Sequence, residues 1–309
     1  MMDEQKEPLI NDNPSLQSYY TSLESRIGYR LFLGGTRHFG YYQPNVRWPF
    51  PITAALRRME DHLFNSLKLQ PGARVLDAGC GVGHVAIHLA GKGLQVYGID
   101  VVKNHVRWAQ QCIKDRGFEK SVTVRLMDYH HLEELPDESF NGVYTMETLV
   151  HATDPEKALG EFFRVLKPGG SIALYEYDHP KRDALPKDVP NDLLKSLELV
   201  NRRASMPANE SFDYGVLQSM LERRGFQDVV VGDLSENIKP MIRLFYIVAY
   251  IPFLIIQFLG LEAWFVNTRA GVEGYQVLKW GLWRYVAVTA KKPSKKVSDD
   301  GGLRERRTG

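Results

Sequence analysis

The residues best placed to do chemistry open at Val75. The stretch VLDAGCGVG, Val75 to Gly83, runs from apolar residues into glycines at 79, 81 and 83. Glycines allow a turn to approach a ligand closely, and the free amides of a helix start favour negative charge. Asp77 stands just before these glycines. Asp100 lies 21 residues beyond Gly79, at the end of LQVYGID. From there a carboxylate can accept hydrogen bonds from two ribose hydroxyls. Asp128 follows a third apolar stretch, SVTVRLM, and is placed to accept from an adenine amine.

Two ligand classes compete for this pattern. A dinucleotide fingerprint, G-x-G-x-x-G, needs a third glycine at position 84, which is His84; the spacing here is G-x-G-x-G. A carboxylate at Asp77 repels a pyrophosphate and welcomes an ammonium group. S-adenosyl-L-methionine carries an ammonium, a sulfonium and a ribose, and no phosphate. It is therefore the expected cofactor, with S-adenosyl-L-homocysteine as the product of methyl transfer. The bland reading is tight-turn glycines and strand-end acids with no ligand. Three acids at the ends of three successive strands argue against it.

The elements that must position these residues follow from periodicity. RVLDAG, LQVYGID, SVTVRLMD, NGVYTME, SIALYEYD, DVVVGDL and RYVAVTAKK read as strands. Helical patterns follow the first, second and fourth of these: VGHVAIHLAGKG, a stretch through Trp108 and Cys112, and ATDPEKALGEFFRV. Alternating strands and helices predict an α/β fold with a sheet covered on both faces. Upstream, residues 15–33 carry a helical rhythm ended by Gly34-Gly35. Pro49 and Pro51 precede a second helix whose face is Ala55, Leu56, Met59, Leu63, Phe64 and Leu67.

The expected organisation is a flexible N-terminus (1–14), an N-terminal helical cap (15–70) and a cofactor-binding core (71–232). An apolar insertion (233–282), the last core strand (283–292) and a disordered basic tail (293–309) complete it. The totals fit one elaborate globular unit of 309 residues, 44% hydrophobic and 25% charged. A net charge of +2 offers no nucleic-acid surface. Two cysteines, Cys80 and Cys112, suit a reducing compartment. The first twenty residues lack an apolar signal region, and the expected localisation is cytoplasmic.

VLDAGCGVG, GID at 98–100, LMDYHHLEELPDESFNGVYTMETLVHATDP and RVLKPGG together resemble the successive motifs of class I S-adenosylmethionine-dependent methyltransferases. The resemblance implies a Rossmann-like seven-stranded sheet whose last strand is antiparallel. It implies that Asp77, Gly79, Gly81 and Gly83 hold the methionine part and Asp100 the ribose. Val101 would lie beside the adenine, and Met127, Asp128 and Tyr129 would frame it. Met146 and, from the N-terminal segment, Tyr20 join this cofactor set. A closer likeness, on EDHLFNSLKLQPGARVLDAGCGVG, METLVHA and RVLKPGGSIALYEYD, is to the sterol 24-C-methyltransferase and tocopherol-type small-molecule methyltransferases. In the sterol enzymes an aromatic and acidic stretch quiets a carbocation. The corresponding stretch, YRLFLGGTRHFGYY, has no acid, and Leu33 stands where that group has Trp, which argues against alkene alkylation.

Methyl transfer to a hydroxyl or carbon acid needs a base. Glu147 and His151, four apart after the fourth strand, are the expected pair because helical spacing would set them on one face. His38 and Tyr41 are expected at the substrate, with Glu176 at the end of the fifth strand and Phe245 and Phe253 from the apolar run. No metal is expected, since His130, His131 and His151 lack ligand spacing with acids. The run LFYIVAYIPFLIIQFLGL, Leu244–Leu261, is 18 residues without a charge. It cannot span a membrane once if RYVAVTAKK returns to the same sheet, and Pro252 argues against a straight helix. It reads as a buried cap, an interfacial helix pair or a homodimer interface. The first two suit a lipophilic acceptor and peripheral contact with the endoplasmic reticulum or another cytosolic membrane face. The expected activity is methyl transfer to a lipophilic small molecule, terpenoid-like, sterol-like or another secondary metabolite. The alternative is a methyltransferase-fold enzyme that catalyses a cyclisation or rearrangement, with the cofactor as a non-reacting or electrostatic group.

Overall fold

The computed structural model describes residues 14–21, 33–261 and 265–294. A short helix α1 (Pro14–Thr21) and the helix α2 (Ile52–Leu67) precede the sheet. Of the expected first helix, residues 22–32 lie outside the described residues, as do 1–13 and the tail from 295. On α2, Ala55, Leu56, Met59, Leu63 and Leu67 are buried as the spacing predicts, and Phe64 is half-buried. The helix stops at Lys68, whose φ of 53° turns the chain left-handed.

The core then alternates as β1 (Arg74–Ala78), α3 (His84–Gly91), β2 (Gln95–Asp100), α4 (Lys103–Asp115) and β3 (Val122–Leu126). It continues with β4 (Phe140–Met146), α5 (Pro155–Val165) and β5 (Leu166–Asp178). β5 begins earlier than the sequence suggests, because Lys167 to Gly170 already lie on the strand rather than in a turn. After β5 come α6 (Asn191–Arg203), α7 (Val216–Arg224) and β6 (Gln227–Asp233). The helices α8 (Ser235–Phe258) and α9 (Val266–Lys279) occupy the expected insertion, and β7 (Arg284–Lys291) closes the sheet.

The seven strands run in the order β3-β2-β1-β4-β5-β7-β6, with β7 antiparallel to both neighbours. β1 explains why both faces are covered. Val75 packs with α2, α3 and α4, while Leu76 and Ala78 pack on the opposite face with α5 and α7. Successive strand residues face opposite ways, so a strand with apolar residues on both faces needs helices on both sides. The chain runs outward from β1 to β3 and then returns to β4 beside β1. This reversal of strand order is where doubly wound sheets open a crevice at the carboxyl ends of their strands.

Pro252 does not interrupt α8, which is continuous through both Pro240 and Pro252. A helical proline removes one main-chain donor. Here α9 packs closely against the turns of α8 that precede Pro252. A Cβ added at Gly271 would lie 3.2 Å from the Ala249 Cβ and 3.5 Å from the Phe245 carbonyl oxygen.

Candidate functional site: a cofactor cleft joined to an apolar chamber

The carboxyl ends of β1, β2 and β4 open into a cleft of about 100 Å³. Gly79 is the tightest point of its floor. Its φ is +100°, and an added Cβ would stand 2.6 Å from the Thr148 Cβ. Thr148 Oγ1 in turn donates to the Ala78 carbonyl at 2.7 Å, so the loops after β1 and β4 are tied together. Gly81 holds a φ of +52°, and its amide donates to Asp100 Oδ2 at 2.9 Å. Gly83 does not line the cleft. An added Cβ there would meet Ala109 at 3.2 Å, so this glycine serves the approach of α3 to α4.

Asp77 is 3% exposed, and its Oδ2 has no hydrogen-bond partner among the described residues. Burial pushes its pKa from 3.8 up to about 7; the nearby Tyr144 hydroxyl opposes this and Asp100 adds to it. A buried, unpartnered carboxylate oxygen aimed into a cleft is an acceptor waiting for a cation. Asp100 is also buried, yet its pKa is lowered. Burial works against ionisation, but His105 and the amides of Val102 and Gly81 outweigh it. Its ionised carboxylate lines the same cleft. Val101, Met127, Asp128, Tyr129 and Met146 line it as well. Asp128 is committed to His130, accepting from its amide at 2.8 Å and meeting its Nδ1 at 2.6 Å. These residues fit S-adenosylmethionine: an acceptor for the ammonium at Asp77, an ionised acceptor for ribose at Asp100 and a half-apolar wall for adenine.

The cleft continues into a larger chamber of about 400 Å³. The two share Tyr20, Arg37, His38, Glu147 and His151. Tyr20 comes from α1. The Arg37 guanidinium lies 4.8 Å from its ring centroid, so the N-terminal segments cover the junction together. Phe245 lines the chamber, as do Leu197 and Val200 from α6 and Thr268 and Glu273 from α9. The α6 wall and Arg37 carry no local motif, and the sequence gives no signal for them beyond Arg37's place beside His38.

Glu147 and His151 both reach the junction but do not pair. Glu147 adopts a φ of +58°, and the following turn, Leu149–His151, is 3-10 rather than α. The four-residue spacing therefore does not place them on one helical face. Glu147 accepts from the Phe39 amide at 2.9 Å and from the Tyr177 hydroxyl at 2.6 Å. Burial raises its pKa despite these two donors. His151 Nδ1 lies 2.8 Å from the Ser205 carbonyl. A carbonyl only accepts, so Nδ1 carries the proton and Nε2 accepts from the Tyr20 hydroxyl at 2.9 Å. Burial pulls the His151 pKa down to about 4, which keeps the ring neutral at pH 7.

Three expected substrate contacts lie elsewhere. Glu176 is fully buried and accepts from Thr145 Oγ1 and from the amides of Thr148 and Leu149. It anchors the turn after β4; burial raises its pKa to about 7. Tyr41 stacks on His62 with ring centroids 5.2 Å apart, outside both cavities. Phe253 is not part of the chamber wall, to which α8 contributes Phe245, Val248, Ala249 and Pro252. His38 lies at the junction as expected, buried and 3.4 Å from Glu60 through Nε2.

Comparison with known proteins agrees with this geometry. Residues 76–174 match the family described as "Methyltransferase domain". The chain is 43% identical over 280 residues to the S-adenosyl-L-methionine-dependent Diels-Alderase iccD of Talaromyces variabilis, covering 90% of this chain and 95% of that protein. It is 41% identical to the S-adenosyl-L-methionine-dependent Diels-Alderase iliD of Neonectria sp. (strain DH2), covering 72% and 87%. Among solved structures, the [4+2]-cyclase SpnF superposes with a TM-score of 0.63 at 25% identity, covering 84% of this chain and 89% of that one. The fold, the fitted cofactor cleft and these relatives establish that the chain belongs to the S-adenosyl-L-methionine-dependent methyltransferase family.

Proposed function

We propose that this enzyme is a cyclase on a methyltransferase fold, folding a lipophilic conjugated polyene for an intramolecular [4+2] cycloaddition without transferring a methyl group. The observation that carries this reading is that both candidate bases at the junction are already engaged by protein donors. Glu147 faces two donors, and the His151 lone pair is taken by Tyr20. Methylation of a hydroxyl or carbon acid requires a proton to leave. A [4+2] closure forms two carbon–carbon σ bonds from three π bonds and moves no proton, so it needs no base. The two relatives named as Diels-Alderases support the same choice.

The chain's part in such a reaction is to restrict the substrate. A chamber of about 400 Å³ falls within the rough 300–1,000 Å³ range of small-molecule sites. Its Leu197, Val200, Phe245 and Trp283 walls favour a folded apolar chain by excluding water. Holding the reacting ends within about 3–3.5 Å replaces a search over many conformers. Asp77 and Asp100 hold the cofactor, which when bound supplies a fixed positive charge. At the chamber's α9 side, Glu273 Oε2 has no hydrogen-bond partner among the described residues and can accept from a substrate hydroxyl or amide N–H. Glu273 Oε1 is held by Arg269 at 2.9 Å.

The test is incubation with methyl-labelled S-adenosylmethionine and a panel of linear conjugated polyenes bearing a second, electron-poor alkene. Products are then read by mass and by label. A cyclised product of unchanged mass, with no label, is expected. A labelled product heavier by one CH2 unit would replace this reading with methyl transfer.

A further inference from the structure

The chamber's outer wall has a second face. From Leu244 to Leu261 the chain carries no charge, and the distal half of α8 is solvent-exposed along most of its length. Ile251 is 68% exposed and Phe258 89%, with Ile247, Leu254, Ile255 and Leu259 exposed beside them. Soluble monomers seldom leave contiguous apolar surface of this kind uncovered. At about 100° per residue, these positions and Tyr250 spread over roughly half the helix circumference. The seam against one packed neighbour is narrower, roughly 100°. α9 already fills that role on the other side, through Gly271 and through Tyr275, whose ring lies 5.2 Å from that of Tyr246. An apolar surface that wraps a hairpin's tip suits a medium that surrounds it rather than a flat partner that touches it.

The topology fixes how deep such a medium could lie. α8 is long and apolar enough to cross a bilayer by length and composition. Yet β6 and β7, which flank the α8–α9 hairpin, pair with each other in one sheet. Both ends of the hairpin are thus held on one side, and α9 carries the Arg269–Glu273 ion pair, which is costly to place at a bilayer centre. What remains is an interfacial seat, with the helix face sunk about 5–10 Å into the headgroup boundary. The same helix connects that face to the chamber. Val248 and Pro252 line the chamber and are also solvent-exposed.

We propose that the distal half of α8 is a membrane-docking surface, which seats the chamber against a lipid bilayer so that a lipophilic substrate enters past Val248 and Pro252 without crossing water. The proposal stands independently of the reaction performed in the chamber. Because the surface is uncharged, docking is driven by apolar burial and does not require anionic lipid.

The experiment is flotation of the full chain with vesicles of phosphatidylcholine alone and of phosphatidylcholine with phosphatidylserine, alongside the double variant Ile251→Asp/Phe258→Asp. Neither residue lines the chamber or the cleft, and S-adenosylhomocysteine binding confirms that the variant folds. The wild type is expected to float with phosphatidylcholine alone. The variant should float at least about tenfold less, about 1.4 kcal/mol of docking free energy. Four results would overturn the proposal: no flotation of the wild type, equal flotation of the variant, flotation only with phosphatidylserine, or a wild-type dimer by light scattering that the variant dissolves. The third would assign binding to basic segments, and the last would make the surface an interface between two copies of this chain.

Discussion

Asp77 makes cofactor binding a function of pH. Its carboxyl is buried near the end of β1, Oδ2 has no partner among the described residues, and burial raises its pKa to about 7. Only the ionised form attracts the cofactor's ammonium. With a pKa near 7, the ionised fraction falls from about three quarters at pH 7.5 to about 3% at pH 5.5. Affinity should therefore drop about 25-fold, or about 1.9 kcal/mol. S-adenosylhomocysteine is the better titrant, since it has no reactive sulfonium. Calorimetric titration across this range should show the fall in the wild type, and a weak, flat profile for Asp77→Asn. Stability moves the other way. The folded protein binds this proton more tightly than the unfolded chain, so stability declines as pH rises from about 3.8 to about 7 and stays reduced above it. Removing the charge in Asp77→Asn should therefore stabilise the cofactor-free protein above pH 7, by up to about 4 kcal/mol. A wild-type affinity that is constant from pH 7.5 to 5.5, or a variant that still binds, would refute the assignment of Asp77 to the ammonium.

Three further substitutions separate the parts of the site. Gly79→Ala places a Cβ 2.6 Å from Thr148 at a φ of +100°; it should lose cofactor binding and about 1–3 kcal/mol of stability in urea unfolding. Glu147→Gln keeps an acceptor for the Phe39 amide, and the Tyr177 hydroxyl can rotate to accept. Its turnover should stay within about threefold of wild type, whereas loss of a general base would cost roughly 10²–10⁴-fold. Val200→Trp fills the chamber from α6, away from the cleft. Product formation should fall at least about tenfold with S-adenosylhomocysteine affinity unchanged, a split that a folding defect would not give.

The cofactor cleft was legible in the sequence because its demands are local. The left-handed backbone of Gly79 and Gly81, and carboxylates one strand apart, leave their mark within a few dozen residues. The pairing of Glu147 with His151 rested on spacing that the backbone does not keep. Glu147 at a φ of +58° removes the helical register assumed between it and His151. Glu176 ends a strand whether it faces a ligand or caps a turn, and only the three-dimensional placement of the Thr148 and Leu149 amides decides between them. Phe253 and Phe245 are equally apolar, and their difference is which side of α8 faces the chamber. Pro252 argued against a straight helix, and α8 nonetheless runs on through it.

Under the proposed cyclase function, the junction gives a reason for the cofactor cleft to be kept. Tyr20, Arg37 and His38 line both cavities, so the segments that cover the cofactor also form one end of the chamber. A ligand that binds this covered form better shifts the protein toward it, by no more than its difference in affinity for the two forms. The ammonium, ribose and adenine are common to S-adenosylmethionine and S-adenosylhomocysteine, so both should close the junction, while the sulfonium charge belongs to the first alone. Product yield should therefore rank S-adenosylmethionine above S-adenosylhomocysteine, and both above cofactor-free protein. The first gap measures the charge and the second measures closure. If S-adenosylhomocysteine bound but gave no more product than cofactor-free protein, the covering segments would not organise the chamber, and the sulfonium charge alone would account for dependence on the cofactor.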